Sequence, residues 1–398
     1  MYLCTMKRKL PFILLGVVAM VIAAATFVEN RLGTHYVLQN IYGAWWFILL
    51  WGLTAITGCW LLLKKRMWKR LPVMLLHASL LIILAGALTT HITSKKGMTH
   101  LRKGEVSRTY WTKDEQGFYT LTEEMPFYLA LNEFKVMYDA DGVTPSDYVS
   151  KVVIATKEGE EQTTISMNNI GRVKGYRIYQ TSFDDDLGGS TFTISYDPWG
   201  TAITYAGYLL LAISMVLVSL KKKKQLSTLN NEPAAGTQLG EAKKRFIGEK
   251  FSTFLLAFCG TIMASYMVIA ICMRPLVPVL RSPYLVVHVG SIMLSYILLV
   301  VSIIRRSLLR PAVFLLATGI FLGAVWANVS WGTYWSWDPK ESWALVTLLI
   351  YSLPLHSESL PWFRSERNYR LYSLLALASL LMTYFGVNFL LGGLHSYT

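Results

Sequence analysis

The sequence predicts a polytopic α-helical membrane protein of about nine transmembrane helices with a small β-rich extracytoplasmic domain. Three observations carry this. Hydrophobic residues make up 53% of 398 positions and charged residues only 16%, too apolar a balance for an ordinary soluble chain. Apolar runs long enough to cross about 30 Å of hydrocarbon as a helix recur along the chain. One polar stretch, 94–198, interrupts them with the alternation of strands.

The runs fall at 10–27, 43–63, 71–92, 200–220, 251–272, 284–304, 311–327, 342–358 and 371–391, the seventh and eighth being the shortest in apolar content. The first follows Lys7-Arg8-Lys9 and is read as a retained anchor, because it is long for the apolar core of a cleaved signal.

Basic residues orient these spans, since cytoplasmic loops carry the excess of Lys and Arg. The clusters are Lys7-Arg8-Lys9, Lys64-Lys65-Arg66 with Lys69-Arg70, Lys221 to Lys224 with Lys243-Lys244-Arg245, Arg305-Arg306 with Arg310, and Arg364, Arg367 and Arg370. They occur at every second membrane boundary. Placing all of them inside gives a cytoplasmic N-terminus and an external C-terminus. The net charge of +14 then reflects orientation and contact with the heads of an anionic lipid bilayer, and no nucleic-acid surface is expected.

Between the spans, 94–198 alternates apolar and polar residues over Lys151–Thr156 and Ser190–Tyr196, with turn signals at Asp141-Gly142 and Gly188-Gly189. This is a β-rich domain outside the membrane. The segment 225–241 has no periodicity and reads as a cytoplasmic linker between two halves. Cys4, Cys59, Cys259 and Cys272 form no CxxC pair, so a disulfide framework is not expected, and no CxxCH motif is present.

Chemistry concentrates in Trp331-Gly332-Thr333-Tyr334-Trp335-Ser336-Trp337-Asp338-Pro339-Lys340-Glu341-Ser342-Trp343, on the outer face in this topology. An interfacial aromatic belt accounts for Trp45, Trp46, Trp51 and Trp199. It does not account for four tryptophans in thirteen positions around an Asp-Pro-Lys-Glu core with Gly332 among the rings. The pattern favours a binding platform for a planar apolar molecule.

Four of the seven histidines lie in or at the ends of spans, where an ionisable group is costly. His77 lies six positions past Leu71 on a span entering from inside, roughly 9 Å deep at about 1.5 Å per residue. His356 ends a span descending from outside, so both belong to the inner half. His288 lies roughly 7 Å into a span entering from outside, and His395 follows the last span, so both belong to the outer face. A single histidine here has a packing role as readily as a ligand role. Two pairs at two depths favour imidazole ligation of a haem iron between helices. His35, His91 and His100 are read as solvated or interfacial.

The segment Trp331–Trp343 resembles the WWD signature of haem-handling proteins in cytochrome c maturation. With Tyr284–Val289, Leu355-His356 and Val387–Tyr397, the stretch 251–398 resembles the CcsA (ResC) family. Residues 1–220 resemble the CcsB (ResB) family around Leu76-His77-Ala78 and from Asn168-Asn169 through Gly175–Asp184, with 221–250 as the linker. The outer domain is short for the one family, and the spans after the linker are few for the other.

The resemblance implies system II cytochrome c biogenesis in a bacterial inner (cytoplasmic) membrane. The implied enzyme is a holocytochrome c synthase of the thioether-forming lyase type, taking haem b as its bis-His ligated substrate and a CxxCH apocytochrome c as its protein partner, with thiol-reducing proteins as further partners. His77 and His356 would receive haem inside, and His288 and His395 would hold it outside. Trp331, Trp335, Trp337 and Trp343 would pack on the porphyrin beside Gly332. Lys340 could meet a propionate, and Asp338 and Glu341 could equally hold the loop. The alternative is a haem exporter or chaperone that presents haem externally without attaching it.

Overall fold

The computed structural model describes residues 2–114, 117–229 and 282–391. A helical bundle carries a sheet domain inserted between two of its helices. The first helices are α1 (Tyr2–Leu32), α2 (Trp45–Lys64) and α3 (Leu71–Thr93), and α4 (Pro198–Leu229) follows the sheet. After 281 come α5 (Pro283–Ser302), α6 (Leu309–Trp331), α7 (Pro339–Ser352) and α8 (Glu366–Leu381), the last continuing through a π turn, Met382–Gly386, into Val387–Leu390.

Seven of the described helices are long and apolar enough to cross a membrane: Lys9–Leu32, Trp45–Lys64, Leu71–Thr93, Pro198–Leu220, Pro283–Ser302, Arg306–Trp331 and Glu366–Leu390. The chain is a multi-pass membrane protein with a β domain, as its hydropathy predicts. The run expected at 251–272 lies outside the described residues. The run expected at 342–358 is shorter than a spanning α-helix: α7 has 14 residues and tightens into a 3-10 turn at Leu353–His356. Pro354 is the cause, since it has no N–H to continue the α ladder. Past 220, where a linker is expected, α4 stays helical to Leu229.

The sheet is fully antiparallel, with order β5-β4-β3-β2-β1-β8-β7-β6. Its strands are β1 (Lys95–Arg102), β2 (Val106–Lys113), β3 (Tyr119–Tyr138), β4 (Pro145–Thr156), β5 (Gly159–Ile165), β6 (Gly171–Val173), β7 (Tyr176–Phe183) and β8 (Gly189–Tyr196). The antiparallel pair α3 and α4 runs directly into the central pair β1 and β8, which begins at Lys95 opposite Tyr196. The sheet curls until β5 approaches β6 and β7, enclosing Leu101, Met125, Phe127, Leu129, Ile178 and Phe192. On β8 nearly every residue is buried, polar Ser190 and Ser195 included, because one face lines this core and the other meets the bundle.

The far end of the bundle holds the turns between α2 and α3 and between α5 and α6. α1 packs along α7 and joins the two halves, with Val18, Ile22 and Ala25 buried together with Val346. Cys59 is a free thiol.

Candidate functional site

At the sheet end, α6 stops at Gly332, whose φ of 83° is the left-handed conformation of a helix C-cap. A side chain there would meet Tyr179 of β7, with a Cβ only 2.4 Å from its ring. The Tyr179 hydroxyl donates to the Asn328 carbonyl at 3.0 Å, and Ser195 Oγ donates to the Gly332 carbonyl at 3.2 Å. Arg177 donates to Asn328 Oδ1 at 2.7 Å and to Thr201 Oγ1 at 2.9 Å, and Asn328 Nδ2 donates to the Tyr205 hydroxyl at 2.7 Å. Burial pushes the Tyr179 phenol up to about 12, so it serves as a donor at any physiological pH.

Beyond Gly332 the segment is pinned residue by residue. Tyr334 is buried, and its hydroxyl donates to Thr90 Oγ1 at 2.8 Å, since that hydroxyl spends its own proton on Asp197 Oδ2. Trp337 has φ of 60°, an uncommon backbone state for a bulky residue. It is held by Tyr42, stacked at 4.3 Å between ring centroids and nearly parallel, by the edge of Phe47 at 5.6 Å, and by Trp335 at 5.7 Å. Trp343 donates its indole N–H to Thr26 of α1 at 3.0 Å, and Trp331 packs edge-on to Trp326 at 4.7 Å. Among the described residues the buried indole N–H groups of Trp326 and Trp335 find no acceptor.

The acidic core of the segment builds a helix start. Asp338 is the N-cap of α7 and accepts from the Lys340 amide at 2.9 Å, with Pro339 in the first turn. Glu341 reaches back to accept from the Ser336 amide at 2.8 Å and from its hydroxyl at 3.1 Å. Both carboxylates thus accept from backbone amides of the segment. Burial pushes the Lys340 ammonium down, and the charge of Asp338 opposes the shift.

His288 lies on α5 against α6. Its Nδ1 donates to the Gly319 carbonyl at 2.7 Å, and a Cβ on Gly323 would lie 2.5 Å from the ring. Gly319 and Gly323 form a small-xxx-small stripe that brings the two helices close enough for an imidazole to sit between them. Trp326 follows Gly323 by three residues, about 4.5 Å along the helix. His395 lies outside the described residues, as do Gly392, Gly393 and Leu394.

At the far end, His77 of α3 and His356 at the end of α7 meet with ring centroids 6.0 Å apart and planes at 76°. His77 Nδ1 bonds the Val73 carbonyl at 2.8 Å, and His356 Nδ1 bonds the Ser352 carbonyl at 3.0 Å. A carbonyl only accepts, so the proton is on Nδ1 in each ring and the Nε2 lone pair faces outward. His288 likewise bonds a carbonyl through Nδ1. Two imidazoles on opposite sides of one metal ion, with metal–nitrogen bonds of about 2 Å, have centroids roughly 6 Å apart. Phe12 of α1 packs on His356 with ring centroids 5.2 Å apart.

Comparison with known proteins matches two separate stretches of the chain. The ResB-like family matches residues 54–204, and the family described as Cytochrome C assembly protein matches residues 302–395. The chain joins a ResB-like region to a cytochrome c assembly region, the CcsB–CcsA (ResB–ResC) arrangement. His77 belongs to the first match, and His356 with Trp331–Trp343 to the second. His288 precedes the second match.

NrfI of Wolinella succinogenes is 40% identical over 151 residues, 31% of this chain and 17% of that protein. CcsA of Guillardia theta is 34% identical over 171 residues, 31% of this chain and 56% of that protein. CcsA of Synechococcus sp. (strain JA-3-3Ab) is 52% identical over 83 residues, 21% of this chain and 24% of that protein. The match thus spans little more than half of each relative at most.

Sequence reasoning missed Asn328, Tyr42, Thr26 and the glycine pair. Asn328 in an otherwise apolar helix and the spacing of Gly319 and Gly323 were both visible signals. Tyr42 and Thr26 carry none, since both meet the tryptophan segment from about three hundred positions away. His100, read as solvated or interfacial, bonds Asp184 through Nε2 at 2.9 Å, since β1 and β7 flank the same strand.

Proposed function

We propose that this CcsB–CcsA protein works in cytochrome c biogenesis by moving haem from the cytoplasmic side of a bacterial inner membrane to the outer face, where it joins the haem to a CxxCH apocytochrome c. The observation that carries the proposal is the juxtaposition of His77 and His356, one from each matched region, with both Nε2 lone pairs free to bind iron.

In this reading the far end of the bundle faces the cytoplasm, as its basic turns require, and His77 and His356 take haem as it enters. His288 and His395 then hold it near the outer face. The WWD segment forms the wall of that outer site. Trp337 and Trp343 serve it mainly by fixing the loop on Tyr42 and α1, while the unpartnered N–H groups of Trp326 and Trp335 are donors available to a substrate's polar edge.

Attachment needs no net oxidation. Each apocytochrome thiol adds across a haem vinyl group: a carbon–sulfur bond forms at the carbon next to the ring, and the proton goes to the terminal carbon. Holding the vinyl edge beside the thiol supplies most of the rate through proximity. Release follows when the histidine of the CxxCH motif replaces one protein imidazole on the iron.

The test is co-expression with a CxxCH apocytochrome in cells lacking other assembly machinery. Covalent holocytochrome is expected. External haem without covalent product would leave an exporter, and no haem at either face would remove haem handling altogether.

A further inference from the structure

We propose that Lys65 is the carboxylate-recognition residue of the site formed by His77 and His356, binding a propionate of the porphyrin that those imidazoles hold. The proposal rests on the haem reading above.

The turn between α2 and α3 carries Lys64, Lys65, Arg66, Lys69 and Arg70. Four of the five are exposed and suited to anionic lipid heads. Lys64 lies over the Trp60 ring at 4.5 Å, and Arg70 pairs with Glu358 at 3.3 Å. Lys65 alone is half-buried, turned inward toward the end of α7.

Its Nζ donates to Ser359 Oγ at 2.6 Å, and Ser359 is bonded through its amide to the His356 carbonyl at 2.8 Å. Among the described residues no carboxylate lies within ion-pair range of the ammonium.

An ammonium has three donors, and a hydroxyl satisfies one without neutralising the charge. Drawing a lysine inward beside the end of α7 therefore carries a desolvation cost that no carboxylate among the described residues offsets. An anionic ligand would repay it. Haem supplies both complements, an iron for the two Nε2 atoms and two propionates at one edge of the ring. Lys65 would then set the orientation, with the propionate edge toward the basic turn and the vinyl edge deeper in the bundle.

The test uses the full chain in detergent in a His288→Ala background, which removes one of the two outer ligands. Ferrous haem and its dimethyl ester, in which both propionates are neutral, are titrated and read by the low-spin bis-imidazole spectrum. Haem is expected to bind about tenfold or more tighter than the ester, the usual advantage of a charge-assisted hydrogen bond. Lys65→Gln should weaken haem by that factor, leave the ester unchanged and keep the spectrum, while Lys65→Arg should retain the preference. An unchanged haem-to-ester ratio in Lys65→Gln, or an equal loss for both porphyrins, overturns the role of Lys65 and leaves the histidine site standing. A bis-imidazole spectrum with neither porphyrin overturns the haem reading and this proposal together.

Discussion

Tyr179 of the sheet donates its hydroxyl to the backbone carbonyl of Asn328 on α6, 149 positions away, at 3.0 Å. With Arg177 on the Asn328 side chain and Ser195 on the Gly332 carbonyl, the sheet forms the floor on which the tryptophan segment is built. The sheet domain is thereby a structural component of the WWD site, although the two come from different matched regions.

Asn328 is the centre of that floor. It is buried, accepts from Arg177 and donates to Tyr205. Asn328→Leu removes one acceptor of the Arg177 guanidinium and the donor to Tyr205, and the expected cost is about 2–3 kcal/mol of stability. Thermal unfolding of the purified protein in detergent, followed by tryptophan fluorescence, should show a lower midpoint and a segment that loosens before the helices. An unchanged melt would mean that the sheet does not brace the segment.

Gly323 makes room for His288. Gly323→Ala places a methyl 2.5 Å from the imidazole and must displace it from the Gly319 carbonyl. The expected result is at least a tenfold loss of holocytochrome with haem still retained by the inner pair, read by covalent haem staining beside the copurified haem spectrum. Full attachment activity in the alanine variant would remove His288 from the account.

Asp338 separates a structural from a chemical role. As an N-cap it tolerates Asn, whereas Ala costs about 1 kcal/mol. Asp338→Asn should therefore keep near-normal attachment and stability, with Asp338→Ala lower in both. Loss of attachment in a stable Asp338→Asn protein would show that its charge, rather than its cap, is needed.

Much of this was legible in the sequence. Hydropathy located the helices because the bilayer sets a required length, and alternation located β4 and β8 because one face of each supplies apolar side chains to the sheet core. Counting residues from the span ends assigned His77 and His356 to one layer, because helix rise is constant. That the two rings are neighbours required the packing of α7 against the first half. The shortening of α7 at Pro354 is local chemistry outweighed in the reading by an apolar run.

Inside the WWD segment the sequence signalled a platform, and the structure shows how much of it is internal packing. Trp337 is stacked on Tyr42, and Trp343 is tied to Thr26. Such partners lie in regions of unrelated periodicity, so no local pattern announces them. Arg177 and Tyr179 likewise read as ordinary strand residues, and their partners on α6 emerge only when α3 and α4 carry the sheet to the end of the bundle.

The central claim is that His77 and His356 hold haem iron together. The most direct measurement is the spectrum and haem content of the purified full chain in a His288→Ala background, compared with added His77→Ala or His356→Ala. The parent should bind low-spin haem with two imidazole ligands, and each further variant should lose it and recover it when free imidazole is supplied. Low-spin haem kept at full content by both variants would contradict the account.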